Sequence, residues 1–70
     1  MSIADEILEE VRRKPGLTAY EIAVLIFGRR NGYQQRVNAD CRKLLAQGWL
    51  VRHGKGGPAD PFKYRLRKLL

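Results

Sequence analysis

The spacing of the apolar residues changes at Gly48, and this change constrains the fold more than any other feature. Before Gly48, apolar residues recur every three or four positions, as in Ile3, Ile7 and Val11, which is the period of an α-helix. After Gly48, apolar and basic residues alternate over positions 62–66, which is the period of a β-strand. The chain therefore predicts helices followed by strands, an α+β fold that is mostly helical.

Local signals place three helices, at about residues 2–14, 18–27 and 33–47. Thr18 and Glu21 form a complete capping box at the start of the second helix, and Ser2 with Asp5 resembles one at the start of the first. A glycine follows each segment, as expected for a helix end. The second helix is apolar on nearly every side over residues 22–27, so we expect it to be largely buried, in part against another subunit.

Two short strands, residues 49–52 and 62–66, flank a loop rich in glycine and proline and predict a hairpin over about 49–67. Four apolar residues of the hairpin are expected to lie in the core: Trp49, Phe62, Tyr64 and Leu66. Cys41 lies on the apolar stripe of the third helix and is interpreted as a small buried hydrophobe rather than a redox sensor.

Seventy residues predict a single domain, 1–70. The longest apolar run, Ile22–Phe27, is too short to cross a bilayer, and acidic residues near the start argue against a signal peptide. A single cysteine forms no internal disulfide, so a cytoplasmic setting is expected. The net charge is +7, and residues 11–70 hold all 14 lysines and arginines against three acids. Such a surface attracts a polyanion, above all nucleic acid, although a merely well-solvated surface remains the alternative.

The order helix, helix, turn, helix, strand, basic loop, strand resembles the winged helix-turn-helix family of DNA-binding domains. Residues 17–23, Leu-Thr-Ala-Tyr-Glu-Ile-Ala, are similar to the opening of that family's second helix. Residues 37–52 are similar to its recognition helix running into the first wing strand, and residues 62–66 to the second. The resemblance covers almost the whole chain and implies a three-helix bundle followed by a β-hairpin wing, in a small prokaryotic or phage transcriptional regulator.

On this resemblance, helix 33–47 would enter the major groove of double-stranded DNA, and the 53–61 wing would contact the backbone or minor groove. The expected base contacts are Gln35, Arg36, Asn38, Ala39 and Arg42. The expected phosphate contacts are Thr18, Tyr20, Arg29, Arg30, Lys43, Arg52, His53, Lys55 and Lys63. A homodimer is expected, held by apolar surface on the first two helices and by Leu69-Leu70, and the protein would be nucleoid-associated when bound to DNA.

An enzyme is not expected, since the only histidine lies in a loop and no residues have the spacing of a catalytic or metal site. No cofactor, membrane or small-molecule substrate is evident. Two other functions stay open. The domain would serve as a protein-interaction module if the acidic first helix and apolar second helix are docking faces. It would bind structured RNA if the same charges meet an A-form helix.

Overall fold

The computed structural model describes residues 2–28 and 33–67. Within these residues the chain forms three α-helices and one three-stranded antiparallel sheet. The helices are α1 (Ile3–Arg13), α2 (Ala19–Phe27) and α3 (Tyr33–Ala46), and the strands are β1 (Leu17–Thr18), β2 (Leu50–His53) and β3 (Lys63–Leu66). The helix bounds lie within one residue of those predicted from the sequence.

Both predicted capping boxes are present. The Thr18 hydroxyl accepts a hydrogen bond from the Glu21 N–H at 3.2 Å, and the Glu21 carboxylate accepts one from the Thr18 N–H at 2.9 Å. Ser2 and Asp5 make the same reciprocal pair at the start of α1. Because these bonds satisfy backbone N–H groups that have no partner inside the helix, they fix where α1 and α2 begin.

The sheet has one more strand than the predicted hairpin. Strand β3 lies between β1 and β2, with Tyr64 opposite Leu17 on one side and Arg52 on the other. The Gly16 N–H adds a hydrogen bond to the Tyr64 carbonyl at 2.9 Å. Strand β1 has only two residues, too few to show an alternating pattern. Its partner residues in β3 lie more than forty positions away in the sequence, so the local pattern did not predict this strand.

The core lies where the three helices meet the inner face of the sheet. Its buried residues are Ile7, Val11, Leu17, Ala19, Ile22, Ala23, Val37, Cys41, Leu44, Leu50 and Tyr64. The expectation that α2 is largely buried was wrong for one residue: over residues 22–27 the other five are buried or half-buried, but Leu25 is 54% exposed. Leu25 follows Glu21 by one helical turn and shares its outward side, whereas Ile22 faces α1 and α3. In the described residues, no helix is long and apolar enough to cross a membrane.

The expectation that Trp49 and Leu66 lie in the core was also wrong, since they are 53% and 37% exposed. Gly48 has a φ of +84°, and the Trp49 N–H donates to the Leu44 carbonyl, so the chain turns tightly out of α3. That turn sends Leu50, 2% exposed, into the core. Because neighbouring strand residues point to opposite faces, burial of Leu50 leaves Trp49 outside.

Candidate nucleic-acid interface

Helix α3 presents a polar and cationic side to solvent. Val37, Cys41 and Leu44 are buried and hold the opposite side of the helix against the core. Five of the residues expected to contact DNA are exposed on α3: Gln35, Arg36, Ala39, Arg42 and Lys43. The sixth, Asn38, is half-buried because it lies on the side of α3 that faces the hairpin.

A cleft separates α3 from the β2–β3 hairpin. Two adjoining cavities of about 340 and 310 Å³ share Asn38, Gly56, Phe62 and Tyr64 in their walls. The smaller cavity adds one arginine from each side, Arg42 from α3 and Arg52 from β2. The walls of the larger cavity also include Thr18, Ala19, Tyr20, Gln34 and Pro61. We call this space the α3–hairpin cleft; among the residues that the structure describes, its walls contain two arginines and no Asp or Glu.

Arg52 is held in place by an aromatic ring. Its guanidinium carbon lies 3.8 Å from the centroid of the Phe62 ring, which is the geometry of a cation–π contact. Burial raises the pKa of Tyr64, while the nearby charges of Arg52 and Arg42 act in the opposite direction. The charges of both guanidinium groups therefore lower the pKa of the Tyr64 hydroxyl, which lines the cleft.

The hairpin loop, residues 54–62, is shaped by its own hydrogen bonds. The Asp60 carboxylate accepts a hydrogen bond from the Lys55 N–H at 3.2 Å, and the Asp60 carbonyl accepts one from the Gly56 N–H at 2.9 Å. Gly56 has a φ of +83°, and a Cβ atom there would lie 2.5 Å from Cζ of Phe62 and nearer still to Cε2. Only glycine lets the loop approach the Phe62 ring this closely.

The start of α2 also borders the cleft. Thr18 and Tyr20 line the larger cavity together with Asn38. The Thr18 hydroxyl already accepts the capping hydrogen bond, while Tyr20 is 56% exposed. Backbone N–H groups in the first turn of a helix favour a nearby anion. Both residues therefore lie where an anionic ligand of the cleft would meet the N-terminal end of α2.

The basic residues expected on the hairpin divide between two faces. His53 lies opposite Lys63 across β2 and β3, one position from the pair Arg52 and Tyr64. Since adjacent pairs point to opposite faces of a sheet, His53 and Lys63 lie on the face away from the core and the cleft. Lys55 is exposed in the loop. Of these three residues, Arg52 lines the cleft, whereas His53 and Lys63 do not.

Sequence reasoning missed Gln34 and the role of Phe62. Gln34, Asn38 and Arg42 are four residues apart, and this spacing would have placed them on one stripe of the helix. The stripe faces the hairpin, which only the packing reveals. Phe62 was expected in the core but is half-buried beneath Arg52. The expected phosphate contacts Arg29 and Arg30 lie outside the described residues.

Two of the four acidic residues of α1, Glu9 and Glu10, are paired with neighbouring arginines. Glu9 forms ion pairs with Arg12 and Arg13, and Glu10 lies 3.9 Å from Arg13. The hydrogen bond from Arg12 lowers the pKa of Glu9. Cys41 is fully buried, and desolvation raises its pKa to about 12, so its thiol stays protonated. In residues 2–28 and 33–67, no group of three or more His, Cys, Asp or Glu side chains is placed to hold a metal ion.

Comparison of the chain with protein-family models, curated proteins and solved structures finds no match. Any functional assignment therefore depends on α3, the hairpin and the cleft between them.

Proposed function

We propose that this protein is a winged helix-turn-helix domain that binds double-stranded DNA sequence-specifically, as a small transcriptional regulator. Helix α3 enters the major groove, and the β2–β3 hairpin is the wing that contacts the backbone or minor groove. The observation that carries the proposal is the α3–hairpin cleft, whose described wall residues include Arg42 from α3 and Arg52 from β2 but no carboxylate. A phosphate backbone could pass through this cleft between α3 and the hairpin. The arginines on its two sides would then attract the phosphates.

The side chains on α3 supply the chemistry for reading bases. A major groove about 12 Å wide admits one helix, whose outward side chains reach the base edges. Gln35 can pair with adenine, and Arg36 and Arg42 can pair with guanine or bind a phosphate. Ala39 lies between them and is small enough to let the helix approach a thymine methyl group. Asn38 and Gln34 lie nearer the hairpin, so they would contact the strand that enters the cleft.

Salt-dependent binding tests this proposal directly. Affinity for a duplex of random sequence is measured across salt concentration for the wild type and for Arg36→Ala/Arg42→Ala. Each phosphate neutralised contributes about 0.9 to the slope of log affinity against log salt, so the double variant should lose up to about 1.8. The matched control is Arg12→Ala/Arg13→Ala, which removes the same charge from exposed positions on α1.

A slope that falls for the α3 variant and not for the α1 variant supports DNA binding through α3. Equal losses in the two variants would mean that only net charge matters. A weak, flat salt response in the wild type would mean that the basic region is only solvated, and the proposal would fail. Competition between duplex DNA and duplex RNA separates the RNA alternative, because A-form RNA has a deep, narrow major groove that does not admit α3.

We also propose that the regulator is a homodimer. Tyr20 and Leu25 are large, exposed side chains on α2, and they border an apolar groove of about 230 Å³ with Leu17 and Val24. A two-fold dimer would place two α3 helices about 34 Å apart on a palindromic site. Analytical ultracentrifugation with and without duplex DNA tests this, since a species of 8.1 kDa without DNA and a complex of one chain per duplex would exclude the dimer.

The same exposed patch supports one alternative function, a protein-interaction module without physiological DNA binding. In that case Leu25→Glu would abolish partner binding, and the α3 variant would have no effect. The alternative predicts a weak, flat salt response with duplex DNA, which the titration above distinguishes from the main proposal.

A further inference from the structure

The outer face of the sheet carries an aromatic and cationic surface that lies outside the α3–hairpin cleft. We define this outer face by the residues that point away from the core: Trp49, Val51, His53, Lys63, Arg65 and Arg67. The register pairs Val51 with Arg65 and His53 with Lys63. Directly opposite residues share a face, and the inner face is fixed by buried Leu50 and Tyr64.

Trp49 extends this face by one step beyond the strands. The Arg67 N–H donates a hydrogen bond to the Trp49 carbonyl at 3.0 Å, which continues the pairing of β2 with β3. The Arg67 guanidinium reaches back over Gly48, where a Cβ atom would lie 3.0 Å from Nη1. Trp49 and Arg67 thus occupy paired positions at one end of the outer face, with Trp49 53% exposed and Val51 38% exposed.

The cations on β3 form a row along this face. Lys63, Arg65 and Arg67 are all exposed and recur every second residue, so they are about 7 Å apart along the strand. No acidic residue occurs in 49–53 or 63–67, nor in β1. A row of regularly spaced cations without a carboxylate suits an extended polyanion.

We propose that the outer face binds single-stranded DNA, with one base stacked on Trp49 and the backbone following Lys63, Arg65 and Arg67. Surfaces that bind single strands combine cations along the backbone with aromatic rings beneath the bases. In a duplex the base faces are already stacked on each other, so only an unpaired base can use the Trp49 ring. A partner with its acids on a folded surface would meet the cations but would leave the indole exposed.

A second copy of this chain is a weaker candidate for the occupant. Its acidic helix α1 is the obvious complementary surface, but Glu9 is already paired with Arg12 and Arg13. Glu10 also has Arg13 close by. These carboxylates would have to leave their own arginines before they could bind the outer face of another molecule.

The fluorescence of Trp49 reports on the surface directly, because it is the only tryptophan in the chain. An oligodeoxythymidylate of about a dozen nucleotides, a length typical of single-strand sites, is titrated into the wild-type protein. Stacking should quench the tryptophan emission in step with binding, which is followed independently by anisotropy of the labelled oligonucleotide. Binding without quenching would overturn the proposal.

Variants separate stacking from charge. Trp49→Leu should weaken oligonucleotide binding about 5- to 150-fold, the range for loss of one stacked base, and Trp49→Phe should restore most of it. Arg65→Gln/Arg67→Gln should lower the salt slope by about 1.4, since single strands contribute about 0.7 per phosphate. Arg12→Gln/Arg13→Gln removes the same charge from α1 and should leave binding within about two-fold, allowing for the small long-range effect of exposed charges. An equal loss in the α1 variant, or none in Trp49→Leu, would refute the assignment.

Competition experiments show whether the oligonucleotide binds at a site separate from the duplex-binding site. They therefore test this proposal independently of the proposed function. Saturating duplex DNA should leave the quenched emission in place if α3 and the outer face are separate sites, and full displacement would place both ligands on α3. Polyglutamate that quenches and competes as well as the oligonucleotide would show that the face recognises charge alone. A preference for oligouridylate of tenfold or more would replace DNA by RNA as the ligand. Failure of duplex binding with intact oligonucleotide binding would refute the regulator proposal and leave this one standing.

Discussion

Replacement of Gly56 by alanine should distort the hairpin loop and open the α3–hairpin cleft. The backbone at Gly56 has a φ of +83°, a conformation that costs an alanine about 1–2 kcal/mol. The added Cβ would lie 2.5 Å from Cζ of Phe62, whereas carbon atoms in contact are about 3.5–4.0 Å apart. The Phe62 ring would therefore have to move by about 1 Å or more.

Movement of the ring disturbs Arg52, whose guanidinium lies 3.8 Å from its centroid. Loss of a cation–π contact at an exposed site costs about 0.5–1 kcal/mol. Together with the backbone strain, Gly56→Ala should lower the free energy of unfolding by about 1.5–3 kcal/mol. In a domain of this size that corresponds to a fall in Tm of roughly 10–20 °C, measured by circular dichroism on thermal unfolding.

Gly57→Ala is the matched control. Gly57 is the next residue in the same loop, its φ is not positive, and a Cβ there meets nothing within 4 Å. That substitution should be neutral or should stabilise the protein by up to about 1 kcal/mol, because alanine restricts the unfolded chain. Equal effects of the two substitutions would refute the argument from geometry.

A double-mutant cycle isolates the contribution of the ring. In a Phe62→Ala background, Gly56→Ala should cost only the backbone strain of about 1–2 kcal/mol. An unchanged cost in that background would show that the Phe62 contact contributes nothing, even if the backbone argument holds.

Three further predictions concern the helices and the core. Thr18→Ala should lower the free energy of unfolding in urea by about 1 kcal/mol through loss of the α2 cap, and Thr18→Ser should restore it; no loss in Thr18→Ala would contradict the capping role. Ile22→Val should cost about 0.5–1.5 kcal/mol because Ile22 is fully buried, whereas Leu25→Ala should change stability by less than about 0.5 kcal/mol in the monomer; the reverse order would mean that Leu25 is covered. The pKa of Cys41 is about 12 in the folded protein against an ordinary 9.0, so between these values the unfolded chain releases a proton that the folded chain keeps. Stability should therefore be unaffected by this thiol below pH 9 and should fall as the pH rises towards 12, by at most about 4 kcal/mol. Cys41→Ala should reduce that alkaline dependence in urea titrations at successive pH values, and an identical pH profile in the variant would refute the assignment.

The helix limits could be predicted from the sequence because short-range interactions decide them. The Thr18 and Glu21 capping box closes within three residues, and the glycine at 28 allows a positive φ of 77° at the end of α2. The buried stripe of α3, with Val37 and Cys41, follows from the helical period alone. The exposed polar side of α3 follows for the same reason, so most of the candidate DNA contacts on this helix could be named in advance.

Side-chain placement on the sheet depended on packing between distant segments. Strand β1 exists because Leu17 and Thr18 meet β3, and two residues carry no period by which to recognise a strand. Both Trp49 and Leu50 are suited to a core, but the turn at Gly48 selects Leu50 and leaves the indole on the outer face. A local pattern of apolar residues does not say which of two neighbours is covered.

The cleft was decided by tertiary structure alone. Arg42 and Arg52 are ten residues apart and belong to different elements, so no helical or strand period relates them. Their presence in one cleft depends on how the hairpin folds back on α3 and on the Phe62 ring that holds Arg52. The sequence by itself determined that this chain forms three capped helices and a basic hairpin, since those features rest on bonds between near neighbours. Only the tertiary structure decided which cations line the same cleft and which aromatic ring lies open to solvent, because both depend on contacts between segments far apart in the chain.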